Sequence, residues 1–133
     1  MIDIEPEVFT KVKTAILTSY PNADVESVSV NSPSAFPHVS IEMLESSDVD
    51  DHSTPTGSDE HDLCTFEVNI YSNKQGTRKS ECKAIAAIVD TVMKSMNFRR
   101  IAMTPVPNMN DATIYRLVAR YRVETDGTYF YRR

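Results

Sequence analysis

The segment "CTFEVNIYSNKQGTRKSECKAIAAIVDTVMKSM", Cys64 to Met96, changes its hydrophobic period halfway along. In its first eight residues Cys64, Phe66, Val68 and Ile70 alternate with Thr65, Glu67, Asn69 and Tyr71, the period-two pattern of a strand with one buried face. After the polar turn "SNKQGTRKS", Cys82, Ile85, Val89, Val92 and Met96 recur at spacings of three and four, with Ile88 and Met93 widening the stripe. That is the period of an amphipathic helix, ending near Asn97. A strand feeding a helix, each apolar on one side only, predicts a helix packed on a sheet.

Upstream, Phe9, Val12, Ile16, Leu17 and Tyr20 form a second helical stripe over Pro6 to Ser19, with Pro6 near the first turn and Tyr20-Pro21-Asn22 as its end. Val25, Val28 and Val30 alternate partially, "NSPSAFP" supplies turn chemistry, and Val39, Ile41 and Met43 alternate again. These read as two strands joined as a hairpin. Downstream, a strand around Phe98 to Met103 gives way to the loop "TPVPNMND", followed by the longest strand, Thr113 to Glu124. Tyr115, Leu117, Ala119, Tyr121 and Val123 form one face of that strand. Ile114, Arg116, Val118, Arg120 and Arg122 form the other, so one face enters the core and the other presents three arginines. "TDG" marks a turn, and Tyr129 and Tyr131 around Phe130 suggest a short last strand.

The expected class is therefore α+β: a twisted, mainly antiparallel or mixed sheet of about five strands with two helices packed on it, in the order α-β-β-β-α-β-β. The crossover unit around residues 77 to 96 should be right-handed if its strands are parallel neighbours. At 133 residues, with no internal repeat, the chain is expected to form a single domain over 1–133. No apolar run approaches the roughly 20 residues of a membrane span, so no membrane role is expected. The opening "MIDIEPEV" lacks the basic flank and apolar core of a secretory signal, which points to cytosolic synthesis. Cys64 and Cys82 fall on apolar stripes, where free cysteine acts as a small buried hydrophobe, and no disulfide framework is expected.

Charge is unevenly distributed. Residues 1–73 hold two basic side chains against fourteen acidic ones, and residues 74–133 hold twelve against five. The acidic excess peaks in "SSDVDDHSTPTGSDEHD", Ser46 to Asp62, with six carboxylates, two histidines and one apolar residue. An EF-hand register counted from Asp48 fails twice, with Ser53 at the glycine position and Asp59 at the glutamate position. A metal enzyme needs ligands held rigidly, so this composition instead predicts a flexible acidic loop, 46–62, and no metal. "NKQGTRKS" lacks the glycines and the Gly-Lys-Ser/Thr ending of a phosphate loop, leaving Lys74, Arg78 and Lys79 exposed at a helix entry. There is no G-x-S-x-G elbow, and His38, between Pro37 and a strand, reads as a strand-edge residue rather than a base.

The segments "FEVNIYSNKQGTRKSECKAIAAIVDTVM", "MTPVPNMNDATIYRLVARYR" and the closing "YRR" resemble a family of small tailed-phage neck proteins, the minor capsid or tail-completion proteins related to the tail terminators. The resemblance covers Leu63 to Arg133 well and the first hairpin loosely. Its most specific parts are Pro105 to Arg122 and Tyr71 to Ser80, whereas the acidic loop resembles nothing in particular. It implies a non-enzymatic subunit without cofactor that forms a ring, typically of six copies, at the virion head-tail junction after synthesis in the host bacterial cytoplasm. The implied partners are further copies of the chain, the tail tube protein and a head-completion or stopper protein. DNA would pass only transiently through the lumen, which is then expected to be acidic or mixed.

A head-to-tail ring uses two different patches per subunit, which an acidic and a basic surface can supply. The candidate interface residues are Asp48, Asp50, Asp51, Asp59, Glu60 and Asp62 on the acidic side, with Arg116, Arg120, Arg122, Tyr129, Tyr131, Arg132 and Arg133 on the other. Two alternatives stand beside the terminator reading. One is a head-completion or stopper protein of the same neck, and the other is a small nucleic-acid-binding domain using the Arg116/Arg120/Arg122 face.

Overall fold

The computed structural model of the chain describes residues 2–28, 33, 35–49, 61–107 and 111–132. Its elements are α1 (Glu5–Ser19), β1 (Asp24–Glu26), β2 (His38–Asp48), β3 (Asp62–Ser72), α2 (Arg78–Ser95), β4 (Arg99–Pro105), β5 (Tyr115–Thr125) and β6 (Phe130–Tyr131). The α+β class and the element order agree with the sequence pattern. The six-stranded sheet runs β1-β2-β3-β5-β4, with β6 also pairing β5, and every pairing is antiparallel except that of β1 with β2.

Two expectations are corrected by this topology. The two strands expected as a hairpin, around Val25 and Val39, are parallel neighbours, because Asp24, Val25 and Glu26 lie beside His38, Val39 and Ser40 in the same direction. The antiparallel pair is β2 with β3, in register from His38↔Tyr71 to Asp48↔Asp62. Val30 lies outside the described residues. The crossover through α2 joins strands that are parallel but not neighbours, since β3 and β4 both pair antiparallel with β5 and β5 lies between them.

One face of the sheet makes the core. Val39 and Ile41 of β2, Phe66, Val68 and Ile70 of β3, and Ala119, Tyr121 and Val123 of β5 are fully buried there. Val8, Val12 and Ile16 of α1 and Ile85, Val89 and Met93 of α2 pack into the same cluster, following the spacings seen in the sequence. The β2 strand shifts register between Met43 and Glu45, leaving Leu44 exposed, and the Glu5 carboxylate accepts the Met43 N–H at 2.6 Å. A helix side chain thus satisfies a backbone group near the irregularity.

The end of α2 is closed by Asn97 in the left-handed region, φ 66°, whose side-chain amide donates to the Phe130 carbonyl at 2.9 Å. Phe98 follows, 1% exposed, edge-on to Phe66 at 5.5 Å and to Phe130 at 5.9 Å. Beside it the Asp90 carboxylate accepts from the buried Tyr121 hydroxyl at 3.1 Å and faces Arg100 at 3.3 Å and Lys94 at 3.1 Å, linking α2, β4 and β5.

Phe98 joins α2, β3 and β6 through packing alone. Phe98→Ala is expected to lower unfolding free energy by about 3–5 kcal/mol in denaturant titration, since it removes a fully buried aromatic ring.

Candidate functional site: the polar face and two charged ends

The face of the sheet opposite the helices carries the chain's polar side chains in register. Antiparallel pairing sets Glu67 opposite Arg120, Asn69 opposite Val118 and Tyr71 opposite Arg116. Across that register the Arg116 guanidinium donates twice to the Asn69 side-chain carbonyl, at 3.0 and 2.7 Å, and lies 5.6 Å from the centre of the Tyr71 ring. Asn69 in turn donates to Glu67 at 3.0 Å, and the other Glu67 oxygen receives Arg120 through two nitrogens at 3.0 and 2.9 Å. On the far side of Tyr71 the His38 ring stands at 5.7 Å, with its Nδ1 3.0 Å from Asp24. A continuous polar ladder therefore crosses from β1 to β5. Burial raises the Tyr71 phenol above its ordinary value, and the Arg116 charge opposes that shift.

The Asp24–His38 pair with Ser40 two residues on has the residue types of an acyl-transfer triad, but His38 is 1% and Ser40 0% exposed. Both groups are enclosed within the sheet rather than open to a pocket. The thiols are equally closed. Burial pushes Cys82 up to about 12, with Glu81 adding to the effect, and burial raises Cys64 as well. Both cysteines are free and buried. Among the described residues no three His, Cys, Asp or Glu side chains are grouped to hold a metal ion. Among the described residues no helix is long and apolar enough to cross a membrane.

The candidate interface residues fall in different parts of this frame. Arg116 and Arg120 are engaged within the chain. Arg122 is half-exposed, stands beside Arg99 in register, and has no carboxylate partner among the described residues. The strands reach into the acidic segment further than expected, so that Ser46 to Asp48 belong to β2 and Asp62 to β3, with the Val49 N–H donating to the His61 carbonyl. Asp48 is exposed at that end, whereas Asp62 is buried and accepts from the Ile2 N–H at 2.9 Å and the Ser46 hydroxyl at 3.2 Å. Asp50, Asp51, Asp59, Glu60 and Arg133 lie outside the described residues. Tyr131 stacks on His61 at 5.6 Å and donates to Asp126 at 3.2 Å, while His61 Nδ1 lies 2.9 Å from Glu124. Tyr129 and Arg132 are exposed nearby, so the aromatic end of the chain sits at the root of the acidic segment.

Sequence reading missed the roles of Glu67 and Asn69. Both alternate onto the polar side of β3, but only the register with β5 pairs them with arginines. It also missed a groove of about 440 Å³ between α2 and edge strand β4, with Lys79, Lys83 and Arg100 on its walls and Met103, Tyr115 and Leu117 beneath. The exposed Lys79 at the helix entry was its one visible sign.

No family model matches this chain. No curated protein matches it either. Among solved structures, a chain of the "Virion of native gene transfer agent (GTA) particle" is similar at a TM-score of 0.53 and 15% identity, over 85% of this chain and 90% of that one. That is a likeness of fold over nearly the whole of both chains.

Two measurements check this site. Asn69→Ala removes the buried acceptor of a part-buried guanidinium and should cost about 1–3 kcal/mol, while Arg120→Ala, at an exposed pair, should cost under about 1 kcal/mol, both by denaturant titration. The Cys82 thiol and the Tyr121 phenol, both raised chiefly by burial, stay protonated in the fold above the pH at which they ionise when unfolded. Their contribution is complete below about pH 9 and is lost as pH rises toward 12, so unfolding free energy should decline across that window.

Proposed function

We propose that this chain is a structural subunit of a tailed-phage-like virion, a ring-forming neck protein that terminates the tail tube and presents the surface to which the head is joined. The observation that carries this reading is the shared fold with a virion chain over nearly the full length of both. The resemblance of the Leu63–Arg133 half to tail-completion proteins points the same way. A head-to-tail ring also needs two unlike surfaces on one subunit, and the acidic segment and the basic second half supply them. In this reading the partners are other copies of the chain, the tube protein and a head-side protein, and DNA passes without being held.

The arginine face takes a smaller part than its composition suggests. Arg116 and Arg120 already have acceptors inside the subunit, which leaves Arg122, together with the exposed Asp48 and its acidic neighbours in sequence, as the better interface candidates. The same pairing weakens the nucleic-acid reading, since two of its three arginines are held along the sheet rather than presented to phosphates. A head-completion or stopper protein differs only in which neighbour it caps.

Negative-stain microscopy of the purified protein, alone and with tail tubes of its parent particle, tests this. Closed rings or capped tubes are expected. A monomer that leaves tubes uncapped at all concentrations overturns the reading, and binding to head-side complexes but not to tubes moves it to the stopper position.

A further inference from the structure

The acidic segment and the lysines of the first turns of α2 lie at opposite ends of the sheet. Val49 and His61 hold the acidic segment at the end marked by Asp62 and Thr125. The groove between α2 and β4 extends toward the other end, where Tyr115 lies opposite Ser72 and Leu117 opposite Ile70. At about 3.4 Å per strand residue, those two floor positions lie roughly 27–34 Å from Asp62. A segment that leaves Val49 and returns at His61 extends at most about 20 Å from its anchors. The Tyr115–Leu117 end of the groove is thus beyond the reach of the acidic segment of its own chain.

Three properties of the groove select its occupant. Lys79 and Lys83, one helical turn apart and both exposed, have no ion-pair partner among the described residues, while Glu81 between them accepts from Ser72 at 2.7 Å. Arg100, on the opposite wall, shares Asp90 with Lys94, so that carboxylate is already divided between two cations. The groove also runs along β4, whose outer edge pairs with no strand among the described residues and whose Ile101 is 37% exposed. An unpaired edge offers backbone N–H and C=O groups to an extended segment, and lysines above it favour one with carboxylates.

We propose that this groove receives the acidic 49–61 segment of a second copy of the chain, in a head-to-tail contact along the long axis of the sheet. The segment has four carboxylates, Asp50, Asp51, Asp59 and Glu60, flanked by the exposed Asp48 and the buried Asp62, and no lysine or arginine. Its Asp and Glu side chains meet Lys79 and Lys83 beside β4. The contact is heterologous, since each copy gives its acidic end and receives at its basic groove, and it repeats from copy to copy until it closes. It rests on the ring reading above and names the surfaces that would build such a ring.

The test uses a labelled synthetic peptide of residues 48–62, titrated by fluorescence anisotropy into the dilute full chain, with light scattering on concentrated samples. Lys79→Glu with Lys83→Glu is the first variant, placed on exposed positions near a helix N-terminus where acidic residues are tolerated. Reversal of Asp50, Asp51, Asp59 and Glu60 to Lys is the second. Peptide affinity is expected to fall at least about tenfold in the first variant and with added salt. Each variant alone should lose assembly, and a mixture of the two should assemble again, since in an alternating arrangement every groove meets a segment of opposite charge. Equal peptide binding by wild type and K79E/K83E overturns the proposal, as does binding of a DNA duplex, but not the peptide, that those substitutions abolish. Rings that form normally in both variants overturn it while leaving the ring reading intact. Specific peptide binding by a chain that never forms rings has the opposite meaning.

Discussion

The pairing of β3 with β5 is the constraint on which the rest of this structure depends. Eleven residue pairs, from Asp62↔Thr125 to Ser72↔Tyr115, hold two of the three eleven-residue strands in one register. Because side chains alternate along a strand, that register decides two surfaces at once. Toward the helices it stacks Phe66, Val68 and Ile70 beside Tyr121, Ala119 and Leu117. Away from them it brings Glu67 and Asn69 to Arg120 and Arg116. A slip of one residue would expose the core row and bury the arginines, so packing and polar pairing reinforce the same alignment.

The helices and edges follow from that centre. α2 leaves the end of β3 and returns along the core face to β4, which docks on the far side of β5, so the basic first turns of α2 overhang an edge strand. β2 and β3 run out together to the opposite end and carry the acidic segment there. The acidic segment and the lysines that open α2 therefore end up at opposite ends of the sheet. The separation also keeps the acidic segment away from the lysines of its own subunit, which leaves their attraction available between subunits.

The polar ladder from Asp24 to Arg120 changes the meaning of the arginines. In composition they are a basic stripe, but in three dimensions Arg116 and Arg120 are partners of Asn69 and Glu67, and the face they occupy is part of the stability of the sheet. Glu67 and Asn69 read in the sequence only as the polar half of an alternating strand, because alternation gives the side on which a residue lies and not what lies across from it.

Much of the fold was legible in residue order. The period-two run at Cys64 to Ile70, the helical stripes of α1 and α2, and the alternating Leu117, Ala119, Tyr121 and Val123 each predict which side chains enter the core, since burial of apolar surface obeys the same periods that local geometry imposes. The free, buried state of Cys64 and Cys82 was legible for the same reason. Three features were not: the parallel placement of β1, the insertion of β5 between β3 and β4, and the groove beside Lys79 and Lys83. Each depends on which strands become neighbours. That choice is made by the packing of distant segments, for which a single strand's own pattern carries no term, and so only the tertiary structure decided it.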